Sequence, residues 1–186
     1  MSNAVDLYFS EQLQVVAKTP RDKIPQILAL LEQARAERRH VFVFGNGGSG
    51  STASHMACDL AKSTIRPDKP RFKVTSLSDN VPTFSAYAND HGFDRVFAEP
   101  LISLAEPGDI AIAFSGSGNS PNVLRALEVA NERRLATIGL SGFDGGALKD
   151  LSQISLVVPS QVMGQIEDIH LMLAHALCSA LSLVHE

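Results

Sequence analysis

The stretch HVFVFGNGGSGS, residues 40–51, sets the pattern for most of the chain. Residues 40–44 are apolar or β-branched after the leading histidine and predict a buried β-strand. The glycines that follow predict a sharp turn, and residues 49–64 are long enough for a helix. The stretch therefore predicts a strand–turn–helix unit, which is the building block of a parallel sheet.

The same alternation continues through the rest of the sequence. Short apolar runs predict further strands at 72–78, 109–114, 135–140 and 153–158, and helices are expected at 81–104, 121–133 and about 164–184. Strands that alternate with helices form mostly parallel sheets covered on both faces. We therefore predict an α/β fold, a three-layer α/β/α sandwich with a five-stranded, mostly parallel sheet.

Two amphipathic helices are predicted ahead of the sheet, at 5–18 and 20–38. Thr19 and Pro20 mark the boundary, because threonine can cap a helix and proline fits the first helical position. A minimal parallel sheet does not need these helices, and their apolar faces can pair with another subunit. We therefore expect a homotetramer.

A second turn rich in glycine and serine follows another predicted strand. SGSGNS, residues 115–120, comes after the strand at 109–114, as GNGGSGS comes after 40–44. Ligands of open parallel sheets bind beyond the carboxyl ends of the strands, where glycines, serine hydroxyls and the N–H groups of a helix suit an anion. Neither turn has Walker or dinucleotide order, and each taken singly is equally well explained as a tight connection. Together they point to a phosphate group.

Five ordered motifs resemble those of the sugar isomerase (SIS) domain family. They are GNGGS at 45–49, the following helix with His55, AND at 88–90, SGSGNSPNV at 115–123 and IEDIHLMLAH at 166–175. Within the family the chain is similar to the phosphoheptose isomerases, over nearly its whole length. The resemblance implies a flavodoxin-like SIS fold and interconversion of sedoheptulose 7-phosphate and D-glycero-D-manno-heptose 7-phosphate through an enediol.

The resemblance also implies roles for particular residues. The second turn would hold the phosphate, and the first turn and the AND motif would contact the substrate; these residues are Asn46, Gly47, Gly48, Ser49, Asn89, Asp90, Ser115, Gly116, Ser117 and Ser120. The metal and acid–base positions match His55, Asp59, Glu167 and His175. Two of these depart from the family pattern, which has Glu in place of Asp59 and Gln in place of Glu167. The first change shortens the side chain by a methylene, and the second adds a carboxylate.

Aldose–ketose isomerisation needs a base near C1 and C2, a second proton carrier and a group that stabilises the enediolate. His55 and Asp59 are four residues apart and project from one face of a helix, as a catalytic pair or as a plain surface pair. Glu167 and His175 are eight residues apart, about 12 Å of helix, so a distorted helix or a second subunit must bring them together. SIS sites lie at subunit interfaces, which favours the second subunit. With imidazole and carboxylate ligands the expected metal is Zn²⁺, and the candidate catalytic residues are Asp59, Glu167 and His175.

Length and composition limit the remaining classes of function. We expect a single SIS domain over 1–186, made of a helical pair at 1–38 and an α/β core at 39–186. The formal net charge of -4 argues against a nucleic-acid partner. The longest apolar tract, residues 171–184, is shorter than the roughly 20 residues that cross a bilayer, so no membrane association is expected.

The two cysteines and the N-terminus bear on location. Cys58 and Cys178 both fall in predicted helices and form no CxxC pair, so they are expected to be buried free thiols, with a disulfide as the alternative. The N-terminus has no signal-peptide pattern. We therefore expect a cytoplasmic protein.

Two other functions stay open beside the isomerase. One is a non-catalytic SIS adaptor, similar to the tetrameric protein that binds the bacterial replication initiator, and the changes at Asp59 and Glu167 are compatible with it. The other is a sugar-phosphate-binding regulatory domain, which the lack of an attached DNA-binding module makes less favoured. Turnover of sedoheptulose 7-phosphate would separate the enzyme from both.

Overall fold

The computed structural model describes residues 2–183, so the last residue of the helix predicted at 164–184 and the ends of the predicted domain lie outside the described residues. The helices are Ser2–Lys18 (α1), Ile24–Ala36 (α2), Gly47–Lys62 (α3), Val81–His91 (α4), Ala98–Leu104 (α5), Pro121–Glu132 (α6), Gly146–Leu151 (α7) and Met163–Ser182 (α8). The strands are His40–Gly45 (β1), Lys73–Ser76 (β2), Ile110–Phe114 (β3), Ala136–Ser141 (β4) and Ile154–Val157 (β5). All five predicted strands are confirmed.

The strands form one sheet in the order β2-β1-β3-β4-β5, and every neighbouring pair is parallel. The chain runs outward from β1 in one direction and from β3 in the other, so the strand order reverses between these two. A crevice opens beyond the carboxyl ends of the strands at such a reversal. The predicted three-layer sandwich and its flavodoxin-like order are confirmed.

Alternate residues of β1 explain why both faces of the sheet are covered. Val41 and Val43 belong to the core that includes α2, α3 and α8, whereas Phe42 and Phe44 belong to the core under α5 and α6. Side chains of a strand point to opposite faces in turn, so a strand that is apolar at every position must be buried on both. The helices α3 and α8, which carry the predicted acid–base residues, therefore lie on the same face of the sheet.

The start of the second helix differs from the prediction of Thr19 and Pro20. The Thr19 hydroxyl donates a hydrogen bond to the Val15 carbonyl at 2.8 Å and so closes the end of α1. The helix α2 begins at Ile24, with Pro25 in its first turn. The helix does start near a proline, as expected, but this proline is Pro25 and not Pro20.

Two further differences concern helices. The helix predicted at 81–104 is divided into α4 and α5, because Gly92 has φ +97° and the chain then forms a 3₁₀ turn at Phe93–Arg95. The six-residue helix α7 was not predicted. It is too short for an apolar period to show in the sequence.

The burial predicted for the cysteines is correct for one of them. Both thiols are free, and Cys178 is buried, but Cys58 is exposed because it lies on the outer face of α3 with Ser51 and His55. Burial, with a smaller effect of the nearby Asp59 charge, raises the pKa of Cys178 to about 12.

Among residues 2–183, no helix has the length and hydropathy that crossing a membrane requires.

Candidate active site

The glycine turn and the serine turn lie side by side at the carboxyl edge of the sheet. The register of the parallel pair β1–β3 places Gly45 opposite Phe114, and each turn begins at the next residue. A cavity of about 250 Å³ opens between them. Its lining residues are Asn46, Gly47, Gly48, Ser49, Phe114, Ser115, Gly116, Ser117, Ser120, Met163 and Glu167. All the predicted substrate contacts of the two turns therefore share one cavity.

The serine turn is shaped by hydrogen bonds and by close packing. The buried Ser115 hydroxyl donates to Ser120 Oγ at 3.2 Å, and Ser117 Oγ accepts from a backbone N–H further along the turn. Gly116 packs closely under Met163, and a Cβ at this position would require the flexible Met163 side chain to move. The turn thus presents several hydroxyls to the cavity, as an anion requires.

The glycine turn leads directly into α3. Gly47 has φ +52°, a left-handed conformation that favours glycine, and helix α3 starts there. Asn46 occupies the N-cap position but makes no capping hydrogen bond. Its carboxamide instead pairs with that of Asn122, with Nδ2 to Oδ1 distances of 2.8 Å in both directions. Asn122 lies within the motif at 115–123, but its sequence position alone predicts no role in the site.

Glu167 lies against the glycine turn. A Cβ at Gly48 would be 2.5 Å from Glu167 Oε1 and 2.6 Å from Oε2, so the glycine makes room for this carboxylate. Glu167 belongs to the first turns of α8 and lines the same cavity as the serine turn. The cavity is therefore lined by serine residues, by the first residues of α3 and by one carboxylate.

Two histidines and an aspartate meet farther along the same two helices. His55 Nε2 is 3.0 Å from His175 Nε2 and 3.5 Å from Asp59 Oδ2, and His175 Nε2 is 3.9 Å from that same oxygen. The histidines are half-exposed, and Asp59 is less so. One ligand atom from each residue lies within 4.8 Å of the others, which is the arrangement of a candidate metal site. We call these three residues the imidazole–carboxylate trio.

Glu167 stands apart from the trio. Helices α3 and α8 run parallel, since Gly48 contacts Glu167 near their N-termini and His55 contacts His175 two turns later. The separation of Glu167 and His175 by eight residues of continuous helix is therefore preserved. Within residues 2–183 of one chain, the four predicted metal positions divide into a group of three and a single carboxylate.

The predicted substrate contacts Asn89 and Asp90 lie elsewhere. Both are exposed near the end of α4, where Asn89 Nδ2 donates to Asp90 Oδ1 at 2.7 Å, and neither lines the cavity between the turns. A larger cavity of about 500 Å³ lies on the other side of the glycine turn, with apolar lining from Val81, Phe84 and Phe93. The sequence carried no sign of this second cavity.

The buried His170 lies on α8 between Glu167 and His175. Its Nε2 contacts the Ser141 carbonyl oxygen at 3.2 Å, and its Nδ1 is buried without a hydrogen-bond partner among the described residues. Burial lowers the pKa of His170 to about 4, although the bond to Ser141 acts in the opposite direction. His170 is therefore a packed structural residue, and we assign it no role in the chemistry.

Comparison with known proteins gives a family match and similar structures. The family model described as "SIS domain" matches residues 8–142. A phosphoheptose isomerase from Paramagnetospirillum magneticum is 34% identical over 175 residues, which covers 94% of this chain and 91% of the relative. One from Nitratiruptor is 40% identical over 147 residues, 79% of this chain and 78% of the relative.

Solved structures agree with the sequence comparison. A phosphoheptose isomerase from Francisella tularensis superposes with a TM-score of 0.91 at 29% identity, covering 97% of each chain. One from Neisseria gonorrhoeae has a TM-score of 0.89 at 29% identity and covers 98% of this chain and 99% of the other. The Vibrio vulnificus NanR protein, complexed with ManNAc-6P, has a TM-score of 0.70 at 18% identity, covering 96% of this chain and 61% of the other, and shares the fold alone.

Proposed function

Because the chain belongs to the SIS domain family, and within it to the phosphoheptose isomerases, we propose that it interconverts sedoheptulose 7-phosphate and D-glycero-D-manno-heptose 7-phosphate through an enediol. The observation that carries the proposal is the match to isomerases over about nine-tenths of both sequences. The relatives favour this enzyme over the adaptor and the regulatory domain.

The cavity between the two turns is the proposed phosphate site. Ser115, Ser117 and Ser120 supply hydroxyls, and the first residues of α3, Gly47 to Ser49, line the same space. Hydrogen bonds to an ionised group are stronger than those between neutral groups, so the serine hydroxyls of this lining favour a phosphate, whereas the Glu167 carboxylate in the same lining does not. Asn89 and Asp90 stay proposed substrate contacts, which an adjoining subunit would have to bring to the cavity.

The trio is the proposed centre of the proton chemistry. Ligand atoms on a tetrahedral zinc ion lie about 3.4 Å apart, and the trio has separations of 3.0, 3.5 and 3.9 Å. These donors therefore fit Zn²⁺: His55 and the acid groups would hold it, and His175 Nε2 would be either a further ligand or the base, but not both at once. A bound zinc ion polarises a carbonyl group as a Lewis acid.

Proton transfer is assigned to His175 and a carboxylate. A base must remove the proton from the carbon next to the carbonyl and return it to the neighbouring carbon, and His175 is the member of the trio proposed for this step. Glu167 is proposed as the remaining acid and as a further metal ligand. Because it stands apart from the trio within one chain, a second subunit would have to supply it.

A homotetramer with sites at the subunit interfaces is therefore proposed. Helix α1 supports it, since Val5, Phe9 and Leu13 lie along one side of the helix and are more than half exposed. Apolar patches of this kind are typical of surfaces covered in an assembly. Light scattering at micromolar concentration should give four times the chain mass, and a monomeric mass would contradict the proposal.

A cytoplasmic location also stays a prediction.

The function is tested with purified protein and sedoheptulose 7-phosphate, by following formation of the aldose. His175→Ala should abolish turnover with little loss of phosphate affinity, because proton transfer acts on the transition state. Asp59→Asn should be nearly as damaging, and His91→Ala, at an exposed histidine of α4, is the matched control. Metal analysis of the wild type and of His55→Ala tests zinc independently. A wild type without turnover would refute the assigned reaction, and active variants would refute the assigned site.

A further inference from the structure

Asn122 joins the two turns that form the phosphate cavity. It is the second residue of α6, follows the serine turn directly and is 1% exposed. Its Nδ2 donates to Asn46 Oδ1, its Oδ1 accepts from Asn46 Nδ2, and the same Oδ1 also accepts from the Val123 N–H at 3.0 Å. Both ends of the Asn46 carboxamide are therefore engaged across the crevice.

Because of this pairing, the Asn46 side chain does not cap helix α3 as its position predicts. An asparagine at the N-cap accepts a hydrogen bond from the N–H of the second or third helical residue. The same chain provides the comparison, because Asn80 precedes α4 and its side chain accepts from Thr83 N at 3.2 Å. Asn46 precedes α3 in the same way and makes no such bond.

The consequence falls on the first N–H groups of α3. The first N–H groups of a helix have no intrahelical partner and depend on a cap, water or a ligand. Gly48 and Ser49, the residues that a capping Asn46 would serve, line the cavity beside the serine turn. With Asn46 held elsewhere, its side chain does not occupy these donors, and the Glu167 carboxylate is the side chain that packs beside Gly48.

We propose that Asn122 is a positioning residue that holds Asn46 away from the α3 N-terminus and so keeps the Gly48 and Ser49 N–H groups open for the substrate phosphate. The inference rests on the proposed function, because it assigns a phosphate to this cavity. It adds a residue that does not touch the substrate and acts through Asn46. Loss of Asn122 releases Asn46 to cap α3, which occupies the donors that the phosphate would use.

The test is binding of inorganic phosphate measured by calorimetry, which requires no turnover. Asn122→Ala should weaken binding about tenfold, or ~1.4 kcal/mol. The matched control is Asn131→Ala on the same helix, where the carboxamide also makes two hydrogen bonds, to Leu151 O and from Thr137 Oγ1, but away from the cavity. Asn131→Ala should lower thermal stability and leave the phosphate affinity unchanged.

A double variant separates capping from general loosening. Adding Asn46→Ala to Asn122→Ala removes the side chain that would cap α3, so phosphate binding should recover part of the loss. Such a recovery is non-additive, as expected for two residues that act through one contact. A merely structural role for Asn122 would make the double variant bind no better than Asn122→Ala, and that result would overturn the proposal.

Hydrogen exchange without ligand gives the second readout. In Asn122→Ala the amides of Gly48 and Ser49 should exchange more slowly than in the wild type, because Asn46 then caps them, whereas a loosened turn would exchange faster. If the alanine variant does not fold, Asn122→Leu keeps the buried volume and removes both hydrogen bonds. Unchanged affinity, equal effects of Asn122→Ala and Asn131→Ala, or faster exchange would overturn the proposal. A wild type that binds phosphate without isomerising sugars would refute only the proposed reaction.

Discussion

The buried His170 should make the stability of the protein depend on pH in a window set by its own titration. Its pKa lies at about 4 in the folded chain against 6.5 for an unperturbed histidine. Above pH 6.5 the ring is neutral in both the folded and the unfolded chain, so it contributes no pH dependence. Between 6.5 and 4 only the unfolded chain takes up the proton, and the free energy of unfolding therefore falls as the pH falls.

The size of the effect follows from the width of that window. While only the unfolded chain binds the proton, the free energy of unfolding falls by about 1.4 kcal/mol for each pH unit. From pH 6.5 to pH 4 it therefore falls by about 3 kcal/mol. The cause is visible in the structure, since a second proton would sit on Nδ1, which is buried without an acceptor among the described residues. Below pH 4 both states are protonated and the loss stops.

The assay is urea denaturation between pH 4 and pH 7 at a fixed protein concentration. The glutamine of His170→Gln can still donate a hydrogen bond to the Ser141 carbonyl, but it cannot titrate. Between pH 6.5 and pH 4 the variant should therefore lose about 3 kcal/mol less unfolding free energy than the wild type. Other titrating groups are common to both proteins and cancel in the difference. His91→Gln, at an exposed histidine, should behave as the wild type. Wild-type and His170→Gln curves that stay parallel would refute the reasoning.

Three further outcomes are expected. Gly48→Ala should displace the carboxylate that packs on that glycine and lower turnover about 100-fold, with the fold unchanged by circular dichroism. Replacing Ser115 and Ser120 with alanine should weaken sugar-phosphate binding by about 1–3 kcal/mol in calorimetry, and an unchanged affinity would move the phosphate elsewhere. Iodoacetamide at pH 8 should modify Cys58 and leave Cys178 unmodified in the folded protein, as peptide mass spectrometry can verify, because only the first is exposed.

The sheet was predictable because its strands are buried on both faces. A strand such as 110–114 must be apolar throughout, and that local signal does not depend on the rest of the chain. Helix boundaries depend on weaker and competing signals. Thr19 can cap a following helix or bond back to the preceding one, and only the packed structure selects the second.

The candidate site was predictable in its residue types and less so in its grouping. The pairing of His55 with Asp59 follows from four-residue spacing alone, whereas the meeting of His55 with His175 depends on how two distant helices pack. The contact between Asn46 and Asn122 spans 76 residues, and no local pattern encodes it. The family resemblance groups Glu167 with the metal ligands, whereas its position beside Gly48 depends on how α8 packs against α3.

The parallel course of α3 and α8 has a consequence for how such a protein can change over generations. The proposed phosphate site consists of two turns at one end of the helix pair, and the proposed proton chemistry depends on side chains two helical turns away. On this assignment, a single substitution in the trio stops turnover and leaves the phosphate cavity intact. Removing the cavity requires changes in both turns, and the crevice between them results from the reversal of the strand order. In any lineage of this architecture, the capacity to hold a phosphate should therefore outlive the capacity to transform the sugar attached to it.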